Sequence, residues 1–340
     1  MAARRGFVTG GTWCVDFNKM IATWPEEDTS NEVLSIDRQG GGSACNLAID
    51  MKRLDRDMPV ETIGLVGDDE NGRFLAAECD AFGIGRARLR AVANAATLSV
   101  DAFSVAGSGR RTHFFHTGAA KLLSPEDFDF SRTTARILHL GLPGAHLTMD
   151  APWRDDGNGW VTVLKSARES GLLTNLELMT IARERLIDYT RPCLPHLDFL
   201  VVNDFEIGAV AGIETRLETR TDFAAVRRAL EKALSSGPMR VVVAHFPEGA
   251  IAVDRDGGAT SIGSIAMPAD EIVGANGAGD AFAAGFLYGV HEGWDVQKSL
   301  TLAHCTAAAS MRAISTTAGV PPWRECMALS ERWGFRPAPA

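Results

Sequence analysis

The sequence predicts an α/β fold in which helices cover both faces of a doubly wound, mostly parallel sheet, with a small β-sheet lid beside it. Three observations predict this fold. Short apolar runs alternate with amphipathic stretches along most of the 340 residues. Several runs consist of uninterrupted Val, Ile and Leu, which is typical of strands buried on both faces. Two segments, 12–38 and roughly 96–117, carry aromatic and β-branched residues without helical spacing, which predicts the lid.

Six apolar runs are the predicted strands of the large sheet: Phe7–Gly10, Thr62–Val66, Ile137–Leu142, Leu172–Leu176, Phe199–Val202 and Val241–Ala244. Between them, apolar residues recur every three or four positions, which predicts helices at 47–54, 223–234 and 282–290. No linker divides the chain. We therefore expect one α/β domain over residues 1–334, with lid segments at 12–38 and 96–117 and a C-terminal tail at 335–340.

Charge and composition exclude several classes of protein. The chain has 34 Lys and Arg against 43 Asp and Glu, a net charge of −9, and no basic block, so we expect no nucleic-acid partner. The longest run without a charged residue spans 13 residues, fewer than the ~18 of a membrane helix, so no membrane partner is expected. The N-terminus has no apolar signal segment, and the six cysteines form no CxxC pair. We expect a reduced, cytoplasmic protein.

The strongest motif is the turn Gly274-Ala-Asn-Gly-Ala-Gly-Asp280, which leads into the helical pattern at 282–290. A glycine-rich turn that opens a helix presents unpaired N–H groups at the positive end of the helix dipole, which is an anion site. In the first turn, the Asp280 carboxylate would be a poor phosphate ligand but a well-placed base for a hydroxyl that attacks phosphorus. The alternative is that Asp280 only caps the helix.

Two further segments place polar residues beside buried elements. Gly40-Gly-Gly-Ser-Ala-Cys-Asn46 puts three glycines and Asn46 at a helix start, either against a ligand or as a flexible turn with an Asn cap. Asn203 and Glu206 follow the strand at 199–202, and open α/β sheets bind ligands beyond the carboxyl ends of their strands. The alternative role of this pair is a capping box.

Several common catalytic motifs are missing from the sequence. It has no GxxxxGK[ST], which excludes a P-loop enzyme, and Gly10-Gly11 does not extend to GxGxxG. It has neither GxSxG nor HExxH, which excludes the usual hydrolase and zinc-protease classes. His113 and His116 would lie on opposite faces of one strand, so they are poor joint metal ligands.

Taken in order, the motifs resemble the ribokinase or PfkB family of sugar and nucleoside kinases over nearly the whole chain. The matching segments are Val8–Asp16, Gly41–Asn46, Thr62–Gly72, Asn203–Glu206 and Gly277–Phe282. The resemblance implies a phosphotransferase that uses ATP and Mg²⁺ and phosphorylates a hydroxymethyl group of a sugar or nucleoside. It also implies lid strands that close over the substrate, exclude water and often pair between subunits, so a homodimer is expected.

The resemblance assigns roles at both ends of the reaction. Asp280 matches the catalytic base, and Gly277, Ala278 and Gly279 match the anion hole that stabilises the transferring phosphoryl group. The residues that match contacts to the sugar hydroxyls are Asp16, Gly41, Gly42 and Asn46. The residues that match the ATP site are Asn203, Glu206, Gly249 and His304, of which the first two would also organise Mg²⁺, largely through water.

The chain departs from the family pattern on the nucleotide side. Gly274 and Ala275 stand where the family usually has Asp-Thr, and that Asp commonly helps to hold a monovalent cation, so potassium activation is in doubt. Phe246 replaces a glycine of the nucleotide turn at 244–249, and His304 stands where many members have Asn. The loop on the phosphate side must therefore differ in shape.

Three markers favour the adenosine-kinase-like branch: Gly41-Gly-Ser-x-x-Asn46, Asn276-Gly-Ala-Gly-Asp280 and Thr174-Asn-Leu176. We therefore expect a ribosyl acceptor, free or within a nucleoside. Trp13 and Phe17 are candidates for stacking on a base, although aromatic lid residues more often serve packing.

Two alternatives stay open. Arg110 and Arg111 could meet a phosphosugar, although neighbouring strand residues point in opposite directions. A non-catalytic sensor on the same fold is favoured only by the altered residues Gly274, Ala275 and Phe246.

Overall fold

The computed structural model of the protein describes residues 4–106, 111–218 and 220–340. Within these ranges, strands and helices alternate along the chain. The strands are β1 (Phe7–Gly11), β2 (Cys14–Ile21), β3 (Val33–Gly41), β4 (Val60–Gly67), β5 (Gly85–Val92), β6 (Ser99–Val105), β7 (Arg111–His116), β8 (Ile137–Gly141), β9 (Leu173–Leu176), β10 (Phe199–Asn203), β11 (Arg216–Leu217), β12 (Arg220–Thr221), β13 (Val241–Phe246), β14 (Gly249–Asp254) and β15 (Ala259–Gly263).

Nine strands of the described ranges form the large sheet, in the order β15-β14-β13-β10-β9-β8-β1-β4-β5. The strands from β13 to β5 are parallel, whereas β14 and β15 are antiparallel additions at one edge. The chain runs outward from β1 to β5 and later in the opposite direction from β8 to β15. This reversal leaves a crevice at the carboxyl ends of β1 and β8, where open α/β sheets bind ligands.

The doubly wound, mostly parallel sheet is confirmed, and each of the six predicted strands belongs to it. The exact ends differ slightly, since β8 ends at Gly141 and β9 begins at Leu173. The sequence did not reveal β5, because most of its side chains are exposed and polar residues interrupt its apolar pattern. It also did not reveal β14 and β15, which extend the sheet beyond β13 as antiparallel strands.

Helices cover both faces of the sheet. In the described chain they are α1 (Ser43–Leu54), α2 (Glu70–Phe82), α3 (Leu147–Asp150), α4 (Gly159–Glu169), α5 (Arg183–Thr190), α6 (Asp204–Ala211), α7 (Phe223–Ser235), α8 (Ala278–His291), α9 (Val296–Ser310) and α10 (Trp323–Trp333). One apolar core joins the sheet to α1, α2, α8, α9 and α10, and a second joins it to α4, α5, α6 and α7. The three predicted helices are confirmed as α1, α7 and α8.

The lid is a separate four-stranded sheet in the order β3-β2-β6-β7, as counted over the described residues. β2 leaves the end of β1, and β3 leads directly into α1, so the lid stands over the carboxyl ends of the large sheet. Trp13 does not belong to the lid. Its side chain is fully buried and its indole N–H donates to the Thr62 hydroxyl at 2.7 Å, so it packs in the core. Arg110 lies outside the described residues, as does the Arg111 side chain.

The segment after α10 lies against the edge of the large sheet. Phe335 forms a β-bridge with Ile265, and the Arg336 N–H donates to the Ser264 carbonyl at 2.8 Å. Among the described helices, none has the length and apolar character needed to cross a membrane.

Candidate active site

Three connected cavities follow one another along the carboxyl ends of the strands, and α8 begins between them. The lid cavity, about 570 Å³, lies under the lid and is lined by residues that include Asp16, Gly42, Asn46, Phe115 and Asp280. The central cavity, about 480 Å³, is lined by residues that include Glu177, Asn203, Glu206, Gly277 and Asp280. The outer cavity, about 450 Å³, is lined by residues that include Asp204, Phe246, Phe282, Met311 and His304.

Asp280 lies where the lid cavity and the central cavity meet, since it lines both. It is the third residue of α8, whose N-cap is Gly277, and the Asn46 amide of α1 donates to its Oδ2 at 2.9 Å. The carboxyl therefore bonds to another helix and does not cap its own. Burial raises its pKa well above the ordinary value, and the nearby Glu177 carboxyl raises that pKa further.

Glu177 is a second carboxyl beside Asp280, which the motifs did not indicate. It follows β9 and lines the central cavity together with Asp280, whose pKa it raises. Two neighbouring carboxyl groups resist ionising together, and burial raises the pKa of Glu177 as well. The Nε2 atom of the buried His139 lies 2.6 Å from Glu177 Oε2, although the ring N–H does not point along that line.

The start of α8 presents unpaired backbone N–H groups to the central cavity. Gly277 has a φ of 78°, and a Cβ there would lie 2.6 Å from the Thr316 carbonyl oxygen, so this turn requires glycine. In the described chain, the N–H groups of Gly279 and Asp280 have no acceptor, whereas that of Ala278 makes a long contact of 3.4 Å to the Ala275 carbonyl. Such groups at a helix N-terminus attract anions.

Asp16 and Asn46 are brought together with Asp280 under the lid. Asp16 lies at the start of the lid strand β2 and is buried, and burial raises the pKa of its carboxyl to about 6, opposed by a hydrogen bond from the Cys14 thiol. A Cβ on Gly41 would lie 2.2 Å from Asp16 Oδ2, so this glycine makes room for the carboxyl. Gly42 is the N-cap of α1 with a φ of 89°, which requires glycine for the turn into the helix.

Asn203 and Glu206 form the capping box of α6 at the wall of the central cavity. The Asn203 side chain accepts from the Glu206 N–H at 2.9 Å, and Glu206 Oε2 accepts from the Asn203 N–H at 3.0 Å. The Thr180 hydroxyl donates to Glu206 Oε1 at 2.9 Å. Burial raises the pKa of Glu206 to about 7. The pair therefore forms the capping box that was its alternative role, and both residues also line the cavity.

The two remaining nucleotide-side residues behave differently. His304 is buried in the wall of the outer cavity, its Nε2 has no partner in the described chain, and burial lowers its pKa to about 3. Gly249 begins β14 and lines none of the three cavities. A Cβ there would lie 2.3 Å from the Ile262 carbonyl oxygen, so Gly249 permits the close approach of β15.

Comparison with known proteins decides the family. The family described as "pfkB family carbohydrate kinase" matches residues 11–323, which is most of the chain. This chain belongs to the PfkB family of carbohydrate kinases. The PfkB match takes in the lid, the start of α8 and the α6 capping box, so it covers every part of the site described above.

The relatives of this PfkB kinase phosphorylate sugars and sugar derivatives, according to their names. The 5-dehydro-2-deoxygluconokinase of Clostridium perfringens is 24% identical over 92% of this chain and 88% of its own length. The ATP-dependent ribose-1-phosphate kinase of Halopiger xanaduensis is 28% identical over 86% of this chain and 87% of its own. The structure of Arabidopsis thaliana ribokinase, complexed with ribose and ATP, superposes with a TM-score of 0.78 at 20% identity, covering 96% of this chain and 98% of that chain. The fold is ribokinase-like, and the protein is a kinase.

The central cavity of this PfkB kinase has the donor atoms that Mg²⁺ prefers. The Glu206 and Glu177 carboxyls line it, and the Asn203 side chain lies at its wall. Mg²⁺ binds oxygen ligands and keeps several waters when phosphates are present. In the described ranges, no three acidic, His or Cys side chains converge as a ready-made metal site. The lining therefore fits a hydrated Mg²⁺ that phosphate oxygens help to hold.

Two residues of the kinase site carried no motif and were missed from the sequence: Glu177 and His245. Both stand at the carboxyl end of a strand, Glu177 directly after β9 and His245 near the end of β13. In an open α/β sheet this position is itself a signal for a site residue. Apolar runs end at both places, so a search for polar residues directly after the predicted strands at 172–176 and 241–244 would have found both Glu177 and His245.

Proposed function

We propose that this protein transfers the γ-phosphoryl group of ATP to a hydroxymethyl group of an uncharged ribosyl acceptor. One observation carries the proposal: Asp280 lies at the border between the lid cavity and the central cavity, next to the unpaired N–H groups of α8. An acceptor hydroxyl in the lid cavity and a phosphoryl group in the central cavity would meet at this carboxyl.

In the proposed reaction, the acceptor hydroxyl oxygen attacks the γ-phosphorus while Asp280 takes the hydroxyl proton. The new O–P bond forms as the bond from the γ-phosphorus to the bridging oxygen breaks, and ADP leaves with that electron pair. The N–H groups of Gly279 and Asp280 stabilise the charge on the phosphoryl group, and that of Ala278 joins them once it leaves its long contact with the Ala275 carbonyl. Gly277 keeps this turn open.

ATP would extend from the central cavity into the outer cavity. Mg²⁺, when bound, neutralises charge on the phosphates, and Asn203 and Glu206 would hold its water shell. The outer cavity would take the base, since Ile265, Met267 and Met311 give it apolar walls and His304 places a buried ring nitrogen there. Gly249 supports this wall through the β14–β15 pairing and is not proposed as a direct ATP contact.

The lining of the lid cavity favours an uncharged acceptor. Among its described residues are the acids Asp16 and Asp280 and the imidazole of His113, but neither Lys nor Arg, so a sugar carboxylate or phosphate would meet no permanent positive charge among them. Asp16 and Asn46 would hold the ribosyl hydroxyls. The opposite wall is apolar and carries Leu98, Val100 and Phe115 of the lid, which suits the base of a nucleoside better than a free pentose.

A phosphosugar acceptor is the second candidate. The Halopiger xanaduensis relative is a ribose-1-phosphate kinase by name, and it covers most of this chain. Arg110 and the side chain of Arg111, which lie outside the described part of the chain, would have to supply the positive charge.

The proposal is tested by ADP release from Mg·ATP with nucleosides, ribose, ribose 1-phosphate, hexoses and sugar acids as acceptors. Fast turnover with nucleosides supports the proposal in full, and turnover with ribose alone supports the reaction with a smaller acceptor. Turnover confined to ribose 1-phosphate would replace the proposed acceptor with the second candidate. A protein that binds nucleosides but releases no ADP with any acceptor would be a sensor.

We also propose that the protein forms a homodimer through the lid, and the exposed apolar surface of the lid supports this. Its outer surface carries Trp24 and Phe114, each about half exposed, which pack on Phe103, and Ile36 lies exposed on the edge strand β3. Exposed apolar surface beside an unpaired strand edge favours association. Light scattering at micromolar protein should give the mass of a dimer, and a monomer mass of 36.4 kDa would contradict this part of the proposal.

A further inference from the structure

The nucleotide must pass a narrow border between the outer and central cavities. Four residues line both cavities: Asn203, His245, Ala275 and Gly279. Of these four, His245 is the residue whose side chain is an aromatic ring with an N–H that can donate a hydrogen bond. If the base lies in the outer cavity and the γ-phosphoryl group lies beside Asp280, the intervening phosphates lie beside His245.

The geometry around His245 fixes which part of its ring faces that border. His245 lies directly opposite Asn203 in the parallel β10–β13 pair, so both residues stand at the same edge of the sheet. Its ring packs against Phe282, with centroids 4.9 Å apart. A Cβ built on Gly279 would lie 3.4 Å from Cε1 and 3.7 Å from Nε2 of His245, so this edge of the ring faces the start of α8.

The His245 ring has no hydrogen-bond partner within the described residues, whereas its neighbours on the border use theirs. The Asn203 side chain is committed to the α6 capping box and to Thr180. Among the described residues that line the central cavity, none is Lys or Arg. Burial lowers the pKa of His245 to about 4, so the ring is neutral near pH 7 and one of its nitrogens carries an N–H that can donate a hydrogen bond. A polyphosphate in this cavity would share it with the Glu177, Glu206 and Asp280 carboxyls and with the imidazole of His245.

We infer that His245 is a phosphate-binding residue of the donor site, where its ring N–H donates to the α- or β-phosphate of the nucleotide. The inference deepens the proposed function and rests on it. It also accounts for the altered nucleotide turn at 244–249. Phe246 replaces a glycine of the family pattern. Its ring is buried against the ring of Phe223, with centroids 5.3 Å apart, so the backbone at this position lies beside packed side chains. The ring N–H of the neighbouring His245 takes the place of the hydrogen-bond donor that the glycine turn would supply.

The test is ADP binding by titration calorimetry to the wild type, His245→Leu and His245→Gln, with Mg²⁺ present. Leucine keeps the apolar contact with Phe282 but has no donor, whereas the Gln amide places an N–H near the position of Nε2. Loss of a hydrogen bond to a charged group corresponds to a factor of about 10 to 100 in affinity. His245→Leu should therefore bind ADP about 10- to 100-fold more weakly, and His245→Gln should stay within a few-fold of the wild type.

Two controls separate a phosphate contact from a packing role. The acceptor site lies beyond Asp280, so both variants should bind the acceptor nucleoside and unfold thermally as the wild type does. If His245→Leu does not fold, His245→Met gives the same comparison. Equal ADP affinity in all three proteins, or equal losses in the Leu and Gln variants, would overturn the inference alone. A wild type that binds no ADP or ATP would overturn the proposed donor, and the inference with it.

Discussion

The two borders of the central cavity are built differently. At the lid border, Asp280 accepts a hydrogen bond from Asn46 and lines the same cavity as Asp16, so carboxyls and an amide would surround the proposed acceptor. At the outer border, the imidazole of His245 lies beside Gly279 and Ala275, and these residues would face the proposed nucleotide. The first border keeps the family pattern residue by residue, and the second departs from it at Ala275. In the proposed reaction, the acceptor side would therefore follow the family pattern, whereas the donor side would use residues that depart from it.

The lid border should be the more sensitive of the two, because it contains the group that moves the proton. Asp280→Asn removes the proposed base and keeps the side chain's shape and its contact with Asn46. We expect kcat to fall by about 10²- to 10⁴-fold, while ADP and the acceptor bind as before. Steady-state kinetics with parallel calorimetry checks this, and an unchanged kcat would remove Asp280 from the reaction.

Asp16→Asn should weaken binding of the acceptor and leave binding of the nucleotide unchanged. The variant therefore tests whether the two borders act on different substrates. A carboxylate that accepts from sugar hydroxyls binds more tightly than an amide, so KM for the acceptor should rise about 10- to 100-fold. Burial raises the pKa of Asp16 to about 6, and the carboxylate forms only above that pH. In the wild type, KM for the acceptor should therefore fall as the pH rises through about 6, and this trend should vanish in the variant. A matching rise in KM for ATP would contradict this separation between the borders.

Glu177→Gln tests whether the Glu177 carboxyl in the central cavity raises the pKa of Asp280 at the lid border. Burial raises the pKa of Asp280, and the Glu177 carboxyl raises it further, so an uncharged Gln should lower it. Because Asp280 accepts a proton only when ionised, the acid limb of the kcat/KM profile should move to lower pH. Glu331→Gln, at an exposed site on α10, serves as the matched control. An acid limb that stays in place would show that Glu177 does not act on the base.

The smallest expected effect concerns Asp50 of α1, one turn beyond Asn46. It is fully buried, neither carboxyl oxygen has a hydrogen-bond partner among the described residues, and burial raises its pKa well above 3.8. When the pKa of an acid is higher in the folded state than in the unfolded state, the folded protein is most stable below the unfolded-state pKa. Its stability falls as the pH rises toward the folded-state pKa. Asp50→Asn should therefore raise the unfolding temperature at pH 8 by a few degrees, with a smaller gain at pH 5. An equal change at both pH values would contradict this explanation.

The sequence predicted the fold and the lid border well for a physical reason. Strands buried on both faces, such as β1 and β10, are uninterrupted apolar runs, and the glycines at 41, 42 and 277 are required by close approaches or by positive φ. Elements without a one-sided pattern were missed. Helix α9 is one of them, because it is buried on most of its surface and so has no apolar stripe.

The outer border could not be predicted in the same way. His245 directly follows the predicted strand at 241–244 and lies within the altered nucleotide turn, but neither signal shows where its ring points. That became apparent only when the fold placed it opposite Asn203 and beside Gly279. Gly249 shows the converse, because a motif match placed it beside ATP whereas the fold uses it for the pairing of β14 with β15. Short motifs report the chain's local shape, and contact with a ligand depends on the tertiary arrangement.

The central claim is that Asp280 joins an acceptor in the lid cavity to a phosphoryl group in the central cavity. Phosphorus NMR of the protein with Mg·ATP and a nucleoside tests it most directly. The account predicts a new phosphate monoester signal, split by the two methylene protons of the acceptor, that grows in step with ADP and is lost in Asp280→Asn. Inorganic phosphate appearing in step with ADP, with no monoester from any ribosyl acceptor, would contradict it.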